Sequence, residues 1–229
     1  MIVMKFGGES LADAAAIRHA VQRIKEALPR KPVVVVSALA GITDMLVELC
    51  REPENAAEFP LRASRCKLKF HDRHEAVHND LFPACHFNMA TAGRPEYVRV
   101  TERNFLDAVA MAHKAGSMHG LRDLILSYGE RMSAAIVKEL CDSEGIVATT
   151  HFPPIVIADY EPEAMVLMRQ TRSECAAIIS DVDRGRVPII PGFIATTPTG
   201  RLRTLGRGGS DLSATVIAAA LNAEELILC

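Results

Sequence analysis

Hydrophobic positions along this chain alternate between short continuous runs and stretches with a helical period. The first continuous run covers residues 2–6, and four consecutive valines follow at 33–36. Between these runs, apolar side chains recur every three or four residues from Ala14 to Leu28, which predicts an amphipathic helix with Ser10 as its N-cap. Because the valine run shows no polar alternation, it is typical of a parallel strand that is covered by helices on both faces.

The same alternation continues to the end of the chain. Between about residues 61 and 127 the charge and histidine content rise and the strand signal disappears, so we expect a helical excursion beside the sheet, broken near Pro83 and 93–95. The pattern favours an α/β fold, a three-layer α/β/α sandwich around a mainly parallel sheet. Further strands are predicted at 146–150, 155–157, 187–190 and 226–229, and further helices after the Thr43 cap, after Gly129, over 162–180 and over 210–221.

Composition narrows the classes of function. The 229 residues carry a formal net charge of −2 and no tryptophan, which gives no reason to expect a nucleic-acid partner. No apolar run approaches the roughly 20 residues that span a bilayer, so no membrane partner is expected. The six cysteines have irregular spacing and form no CxxC pair, which indicates reduced thiols in a cytoplasmic protein.

Three loops that follow predicted strands have the composition of anion-binding turns. Lys5 precedes the pair Gly7–Gly8, and Arg207 precedes the pair Gly208–Gly209. Adjacent glycines let backbone amides approach a phosphate, and a nearby lysine or arginine supplies positive charge. The third loop, residues 37–43, is built from small residues at the position where open α/β sheets bind ligands. Each loop taken alone favours a plain tight turn, whereas three such loops after predicted strands together favour ligand binding.

Two further groups carry alternative interpretations. Glu130 is predicted at a helix start, where it would either complement the helix dipole or face a substrate ammonium group. His71, His74 and His78 recur on one predicted helix face, with Cys66, Cys85 and His86 nearby. Charged neighbours favour a solvated helix face there over a zinc site, since the spacing matches no zinc template. No metal ligand is therefore assigned.

Five sequence blocks occur in order along the chain. They are Lys-Phe-Gly-Gly-x-Ser at 5–10, Val-Ser-Ala-x-Ala-Gly-Ile-Thr at 36–43, Gly-Glu-x-Met-Ser at 129–133, Pro-Gly-Phe-Ile at 191–194 and Thr-Leu-Gly-Arg-Gly-Gly-Ser-Asp at 204–211. Together these blocks resemble the motifs of aspartokinases, which belong to the amino-acid kinase superfamily. The last block is the most specific of the five, and residues 52–127 contain no block.

The resemblance implies ATP-dependent phosphorylation of the β-carboxylate of L-aspartate, the first step toward lysine, threonine and methionine. It implies ATP and Mg²⁺ as cofactors, L-aspartate as substrate and a homodimer or homo-oligomer. Glu130 would face the substrate ammonium group and Arg207 its α-carboxylate. By residue, the implied roles are catalytic for Lys5 and Asp211, phosphate-binding for Lys5, Gly7, Gly8, Ser37, Gly208 and Gly209, and aspartate-binding for Thr43, Glu130, Phe193, Arg207 and Ser210.

The sequence departs from the family pattern in two places. Position 9 is glutamate where the family has threonine or serine, and this acid either faces the phosphates or points outward. The chain, a single amino-acid kinase domain over 1–229, also ends before the segment that holds adenine and ribose and before the ACT regulatory domains. We therefore expect weak ATP binding and slow turnover. A non-catalytic amino-acid-binding module, or an amino-acid kinase with a different acceptor, is the alternative.

Overall fold

Five parallel strands form the central sheet of the computed structural model, which describes residues 1–51, 58–83, 96–118, 120–158 and 165–229. The strand order is β3-β4-β2-β1-β7, and every neighbouring pair in it is parallel. β5 and β6 form a separate antiparallel hairpin that the sequence pattern did not predict. The strands are β1 Ile2–Phe6, β2 Pro32–Val36, β3 Ala148–Thr150, β4 Val187–Pro191, β5 Ile194–Thr196, β6 Leu202–Thr204 and β7 Glu225–Leu228.

Eight α-helices surround this sheet within the described ranges. The predicted helical excursion is confirmed as two long helices, α3 and α4, together with the beginning of α5. The break expected near Pro83 is confirmed, since α3 ends two residues before it. The break expected near 93–95 lies outside the described residues. The helices are α1 Ala14–Ala27, α2 Ile42–Leu49, α3 Glu58–Leu81, α4 Glu96–Ala115, α5 Arg122–Ser143, α6 Met168–Glu174, α7 Ala176–Asp183 and α8 Gly209–Ala220.

Side chains of the valine run divide between two hydrophobic cores. Val34 and Val36 pack in a core with residues of α1 to α5, whereas Val33 and Val35 pack in a second core with residues of α7 and α8. Successive residues of a strand face opposite sides of a sheet, so helices must cover both sides to bury all four valines. This arrangement confirms the predicted three-layer α/β/α sandwich.

Two predicted helix caps are wrong. Asp13, not Ser10, caps α1, since its Oδ1 accepts a hydrogen bond from the Ala16 amide at 2.8 Å. The Ser10 hydroxyl instead donates to the Cys229 carbonyl at 2.8 Å and joins the first loop to the end of β7. α2 follows Gly41, whose φ of 79° turns the chain into the helix, so Thr43 lies inside the first turn.

Three predicted element boundaries are also wrong. α5 begins at Arg122, seven residues before Gly129. The glycine that was predicted to precede the helix therefore lies inside it. The helix predicted over 162–180 is two short helices that meet at Cys175. Val156 and Ile157 form only isolated bridges, so 155–157 is not a strand of the main sheet.

The cysteines of the described residues are free thiols. Cys50, Cys66, Cys141 and Cys175 are buried, and Cys229 is partly buried, which agrees with the predicted reduced thiols; Cys85 lies outside the described residues. Burial raises the pKa of the Cys66 and Cys141 thiols to about 12, so both remain protonated core side chains. In the ranges that the structure describes, no helix combines the length and the apolar character needed to cross a membrane.

Candidate active site

A cleft of about 620 Å³ opens at the carboxyl ends of β1, β2 and β4. Loops at these strand ends form its walls together with α5 and the start of α8, which is where open α/β sheets bind their ligands. Of the predicted site residues, only Gly7 is not part of the lining. The predicted residues that line the cleft are Lys5, Gly8, Ser37, Thr43, Glu130, Phe193, Arg207, Gly208, Gly209, Ser210 and Asp211.

The first loop packs directly against the second. A Cβ atom on Gly8 would lie 3.2 Å from the Ala38 carbonyl oxygen, so a side chain at this position would push the two loops apart. A Cβ atom on Gly7 would lie 3.4 Å from Lys5 Nζ. Glu9 is exposed and does not line the cleft. Of the two orientations left open for this acid, the structure therefore shows the outward one.

Lys5 and Asp211 form an ion pair inside the cleft. Lys5 Nζ lies 2.6 Å from Asp211 Oδ1, and the lysine side chain is 13% exposed whereas the aspartate is 59% exposed. Lys5 comes from β1, and Asp211 comes from the first turn of α8. The largely buried lysine side chain is thus positioned by the sheet, and its carboxylate partner lies at the solvent side of the cleft.

Glu130 is a buried carboxylate in the interior of α5. Its side chain faces the cleft with only 2% of the residue exposed, and its Oε2 atom has no hydrogen-bond partner. Burial raises the pKa of Glu130 to about 8, and the backbone amides of Glu130 and Ala38 only partly offset this effect. The predicted helix-start position is wrong, so dipole complementation does not explain this acid. A buried carboxylate at a cleft with one oxygen that lacks a hydrogen-bond partner is suited to a cationic ligand group.

The glycine-rich loop leads from β6 into α8. Gly208 has a φ of 72° and precedes the first residue of the helix. The Gly209 amide donates to the Gly206 carbonyl at 3.0 Å, and the Asp211 amide donates to the Gly208 carbonyl at 3.0 Å, so this turn is closed by its own hydrogen bonds. Arg207 is exposed on this loop, and within the described residues it forms no ion pair. A helix N-terminus beside a free guanidinium group attracts an anion.

Phe193 adopts a left-handed backbone conformation, with a φ of 67°, at the end of β4. Its amide donates to the Ser213 hydroxyl at 2.9 Å, and its carbonyl accepts from the Leu205 amide at 2.8 Å. The Ser213 hydroxyl donates in turn to the Gly209 carbonyl at 2.8 Å. This strained backbone is therefore fixed from both sides, which holds the aromatic ring in the cleft wall.

Two charged lining residues were missed by the sequence analysis. Arg122, Leu126 and Glu130 lie at steps of four along α5 and line the cleft as one helix face. Asp44, in the first turn of α2, lines the cleft as well. The four-residue spacing back from Glu130 would have identified Arg122, had the helix been predicted to begin before Gly129.

The three histidines of α3 do not share one environment. His74 and His78 are 2% and 1% exposed, so the predicted solvated face is wrong for both of them. His74 Nδ1 lies 2.6 Å from the Phe70 carbonyl, and His78 Nε2 lies 3.1 Å from Glu139 of α5. His71 contacts α4 through Glu102. Cys85 and His86 lie outside the described residues.

Comparison with known proteins agrees with this geometry. Lysine-sensitive aspartokinase 3 of Escherichia coli is 30% identical over 238 residues, which cover 99% of this chain and 48% of that protein. An aspartokinase of Chlamydia trachomatis is 29% identical over 232 residues, which cover 98% of this chain and 47% of the relative. The chain thus spans about half the length of the curated relatives it matches.

Solved structures give the same result. E. coli aspartokinase III in complex with aspartate and ADP superposes with a TM-score of 0.83 at 26% identity, over all of this chain and 48% of that one. The sequence model of the amino acid kinase family matches residues 1–229. With the parallel sheet, the glycine-rich loops and a match along its whole length, the chain belongs to the amino acid kinase family.

Proposed function

We propose that this chain is the catalytic region of an aspartate kinase, which transfers the γ-phosphoryl group of ATP to the β-carboxylate of L-aspartate. The observation that carries the proposal is the arrangement of charge in one cleft. Buried Glu130, whose Oε2 atom has no hydrogen-bond partner, and an unpaired Arg207 line the same cavity as Lys5 and Asp211. The ammonium group of an amino acid complements Glu130, and its α-carboxylate complements Arg207. The anionic oxygens of a phosphoryl group complement Lys5.

Glu130 and Arg207 orient the amino acid. The Glu130 carboxylate binds the substrate ammonium group in a site that water reaches poorly, where the Coulomb attraction is stronger than in bulk solvent. Arg207 binds the α-carboxylate through paired N–H donors. Thr43 and Ser210 offer hydroxyl groups, and the Phe193 ring closes one wall, so that the β-carboxylate points toward Lys5.

Lys5 stabilises the transferring phosphoryl group, and its amine changes partner as the substrate binds. In the free cleft the ammonium group pairs with Asp211, and the phosphoryl oxygens offer a second set of anionic acceptors within reach of the same side chain. The Gly8 and Gly208 amides and the Ser37 hydroxyl bind the other phosphate oxygens, because the Gly209 amide already donates to the Gly206 carbonyl at 3.0 Å and the Gly7 amide to the Cys229 carbonyl at 3.5 Å. No general base is required, since the carboxylate acceptor is already ionised near neutral pH.

The carboxylates of the cleft fit a magnesium ion. Mg²⁺ is usually held by one or two carboxylates together with substrate phosphates, and Asp211 and Asp44 offer such oxygens at the solvent side. When bound, Mg²⁺ neutralises charge on the phosphates. Asp211, which also contacts Lys5, would then hold the metal and the lysine in register.

Location and assembly follow the same proposal. Buried reduced thiols favour the cytoplasm, and the family resemblance favours a homodimer or homo-oligomer.

Hydroxylamine trapping tests the activity directly. The chain is incubated with ATP, Mg²⁺, L-aspartate and hydroxylamine, and aspartyl hydroxamate is measured, while calorimetry measures L-aspartate binding without nucleotide. Hydroxamate that depends on both ATP and L-aspartate supports the kinase. Binding of L-aspartate without any product supports an amino-acid-binding module, and binding of another amino acid alone points to a different acceptor. Failure to bind any amino acid would overturn the proposal.

A further inference from the structure

Outside the cleft, the His71 imidazole is held between carboxylates from two helices. Its Nδ1 atom lies 2.6 Å from Glu102 Oε1 on α4, and its Nε2 atom lies 3.2 Å from Glu75 Oε2, one turn further along α3. The three side chains are 15%, 16% and 27% exposed for His71, Glu102 and Glu75. The imidazole therefore has a fixed ring orientation, with one nitrogen toward α4 and the other along its own helix.

Asp72 completes a compact set of ligand atoms. One ligand atom from each of His71, Asp72 and Glu75 lies within 4.8 Å of the other two. Two ligands bonded to a tetrahedral zinc-type ion at about 2.0–2.1 Å are separated by roughly 3.3 Å. The observed 3.2 Å between His71 Nε2 and Glu75 Oε2 fits that separation without any movement of the helix.

Glu102 has the geometry of a residue that orients a metal-binding histidine. Such histidines donate one ring N–H to a carboxylate, which fixes the tautomer and leaves the other nitrogen for the ion. The short Nδ1–Glu102 contact orients the ring so that its Nε2 atom lies toward Glu75. A plain surface ion pair between Glu75 and His71 needs neither the second carboxylate nor Asp72 beside it.

We propose that His71, Asp72 and Glu75 bind a divalent first-row transition-metal ion, with Glu102 as the positioning residue. A ligand set of one imidazole and two carboxylates, without thiolates, suits Co²⁺, Zn²⁺, Ni²⁺ or Mn²⁺. The ion links the middle of α3 to α4 through the His71–Glu102 contact. Because it binds the folded chain, it raises the stability of this helix pair. None of the four residues lines the active-site cleft.

Co²⁺ is the probe for the test, since the chain also contains thiols. Calorimetry on the full chain under reducing conditions gives the stoichiometry and affinity, and absorption spectra report any thiolate ligation through its intense charge-transfer band. The test variants are His71→Ala, Asp72→Asn and Glu102→Gln. Asp80→Asn is the matched control, because Asp80 is exposed on the same helix and carries the same charge.

We expect one Co²⁺ ion per chain without a thiolate band, and a rise in the unfolding temperature that depends on Co²⁺ concentration. Asp72→Asn and Glu102→Gln weaken binding by about 10- to 100-fold, as for other metal-site residues, and His71→Ala removes it. Asp80→Asn leaves the affinity unchanged. Asp72 is exposed, so its variant tests the site even if His71→Ala impairs folding. The proposal is overturned if Co²⁺ does not saturate a single site, shows thiolate ligation, or binds the Asp72→Asn and Asp80→Asn chains equally.

Discussion

Lys5 and Asp211 come from opposite ends of the chain and meet at 2.6 Å in the same cleft. β1 carries the lysine to the carboxyl end of the sheet, and the glycine-rich loop places the aspartate in the first turn of α8. The contact depends on the pairing of β1 with β2, which stacks the two loops, and on the packing of α8 against β1. A fold-level arrangement thus determines the position of the cationic group that the proposed chemistry requires.

Replacement of Lys5 by methionine should remove the proposed activity. Methionine keeps most of the apolar stem but leaves Asp211 and the transferring phosphoryl group without a cation, and we expect hydroxamate formation to fall by about 100-fold or more. Lys25→Met is the control, because Lys25 also forms an ion pair, with Glu144 at 3.1 Å, on the surface. A Lys5→Met chain as active as the Lys25→Met chain would contradict the assigned role.

Glu130 should make L-aspartate binding depend on pH. With a pKa raised to about 8 by burial, the carboxyl group of the free site is mostly protonated at pH 7 and must lose its proton to bind an ammonium group. Affinity should therefore rise between pH 6 and about pH 8 and then level off, as calorimetry would measure. Glu130→Gln should weaken binding by at least about tenfold and abolish this dependence, whereas Glu144→Gln on the surface should change neither.

The same group should lower the stability of the free protein as pH rises. The pKa of Glu130 is raised from 4.5 to about 8 on folding. Between pH 4.5 and about 8 the unfolded chain has lost this proton while the folded chain keeps it. The free energy of unfolding therefore decreases as pH rises toward 8, by at most about 1.4 kcal/mol per pKa unit. In urea unfolding, Glu130→Gln should be more stable than the wild type at pH 8, with a smaller difference at pH 5. Equal pH profiles for the two proteins would contradict this account.

The strands and the loops of the cleft were predictable because their signals are local. A run of four valines without polar alternation specifies a strand that is buried on both faces, and β2 is fully buried. The loops after β1 and β2 and before α8 contain the glycines and charged residues that phosphate binding requires. The first two loops meet because parallel strands end at one edge of the sheet, whereas the loop before α8 follows β6 of the antiparallel hairpin.

The errors have physical causes that a single sequence does not reveal. Gly129 was taken as a helix boundary, yet it lies inside α5. A glycine is needed there because the second loop packs too closely against the helix for a side chain. The hairpin of β5 and β6 has strands of only three residues, too short for a clear alternation. The environment of His74 and His78 depends on helix packing far along the chain, so neither could be placed from its neighbours.

Gly129→Ala should destabilise the protein, although alanine normally favours a helix interior by about 0.5–1 kcal/mol over glycine. A Cβ atom at this position would lie 2.8 Å from Ala38 Cβ and 3.3 Å from Ile42 Cγ2. The loop must shift, and we expect a net loss of about 1–3 kcal/mol in chemical unfolding. Ala38→Gly in the same chain removes the closer contact and should restore part of the loss. A stabilised Gly129→Ala chain would show that the loop moves freely.

Ser213→Ala should weaken amino-acid binding, although Ser213 does not contact the substrate. The buried Ser213 hydroxyl joins the Phe193 amide to the Gly209 carbonyl, so its loss leaves the amide of a left-handed residue without a partner. We expect a loss of about 1–3 kcal/mol in stability and a KM for L-aspartate that rises several-fold more than kcat falls. Thr215→Ala is the matched control, because that hydroxyl also bonds four residues back in α8, to the Asp211 carbonyl, yet is exposed. Of these two hydroxyl groups only that of Ser213 bonds the Phe193 backbone, so equal KM values in the two variants would contradict its role in amino-acid binding.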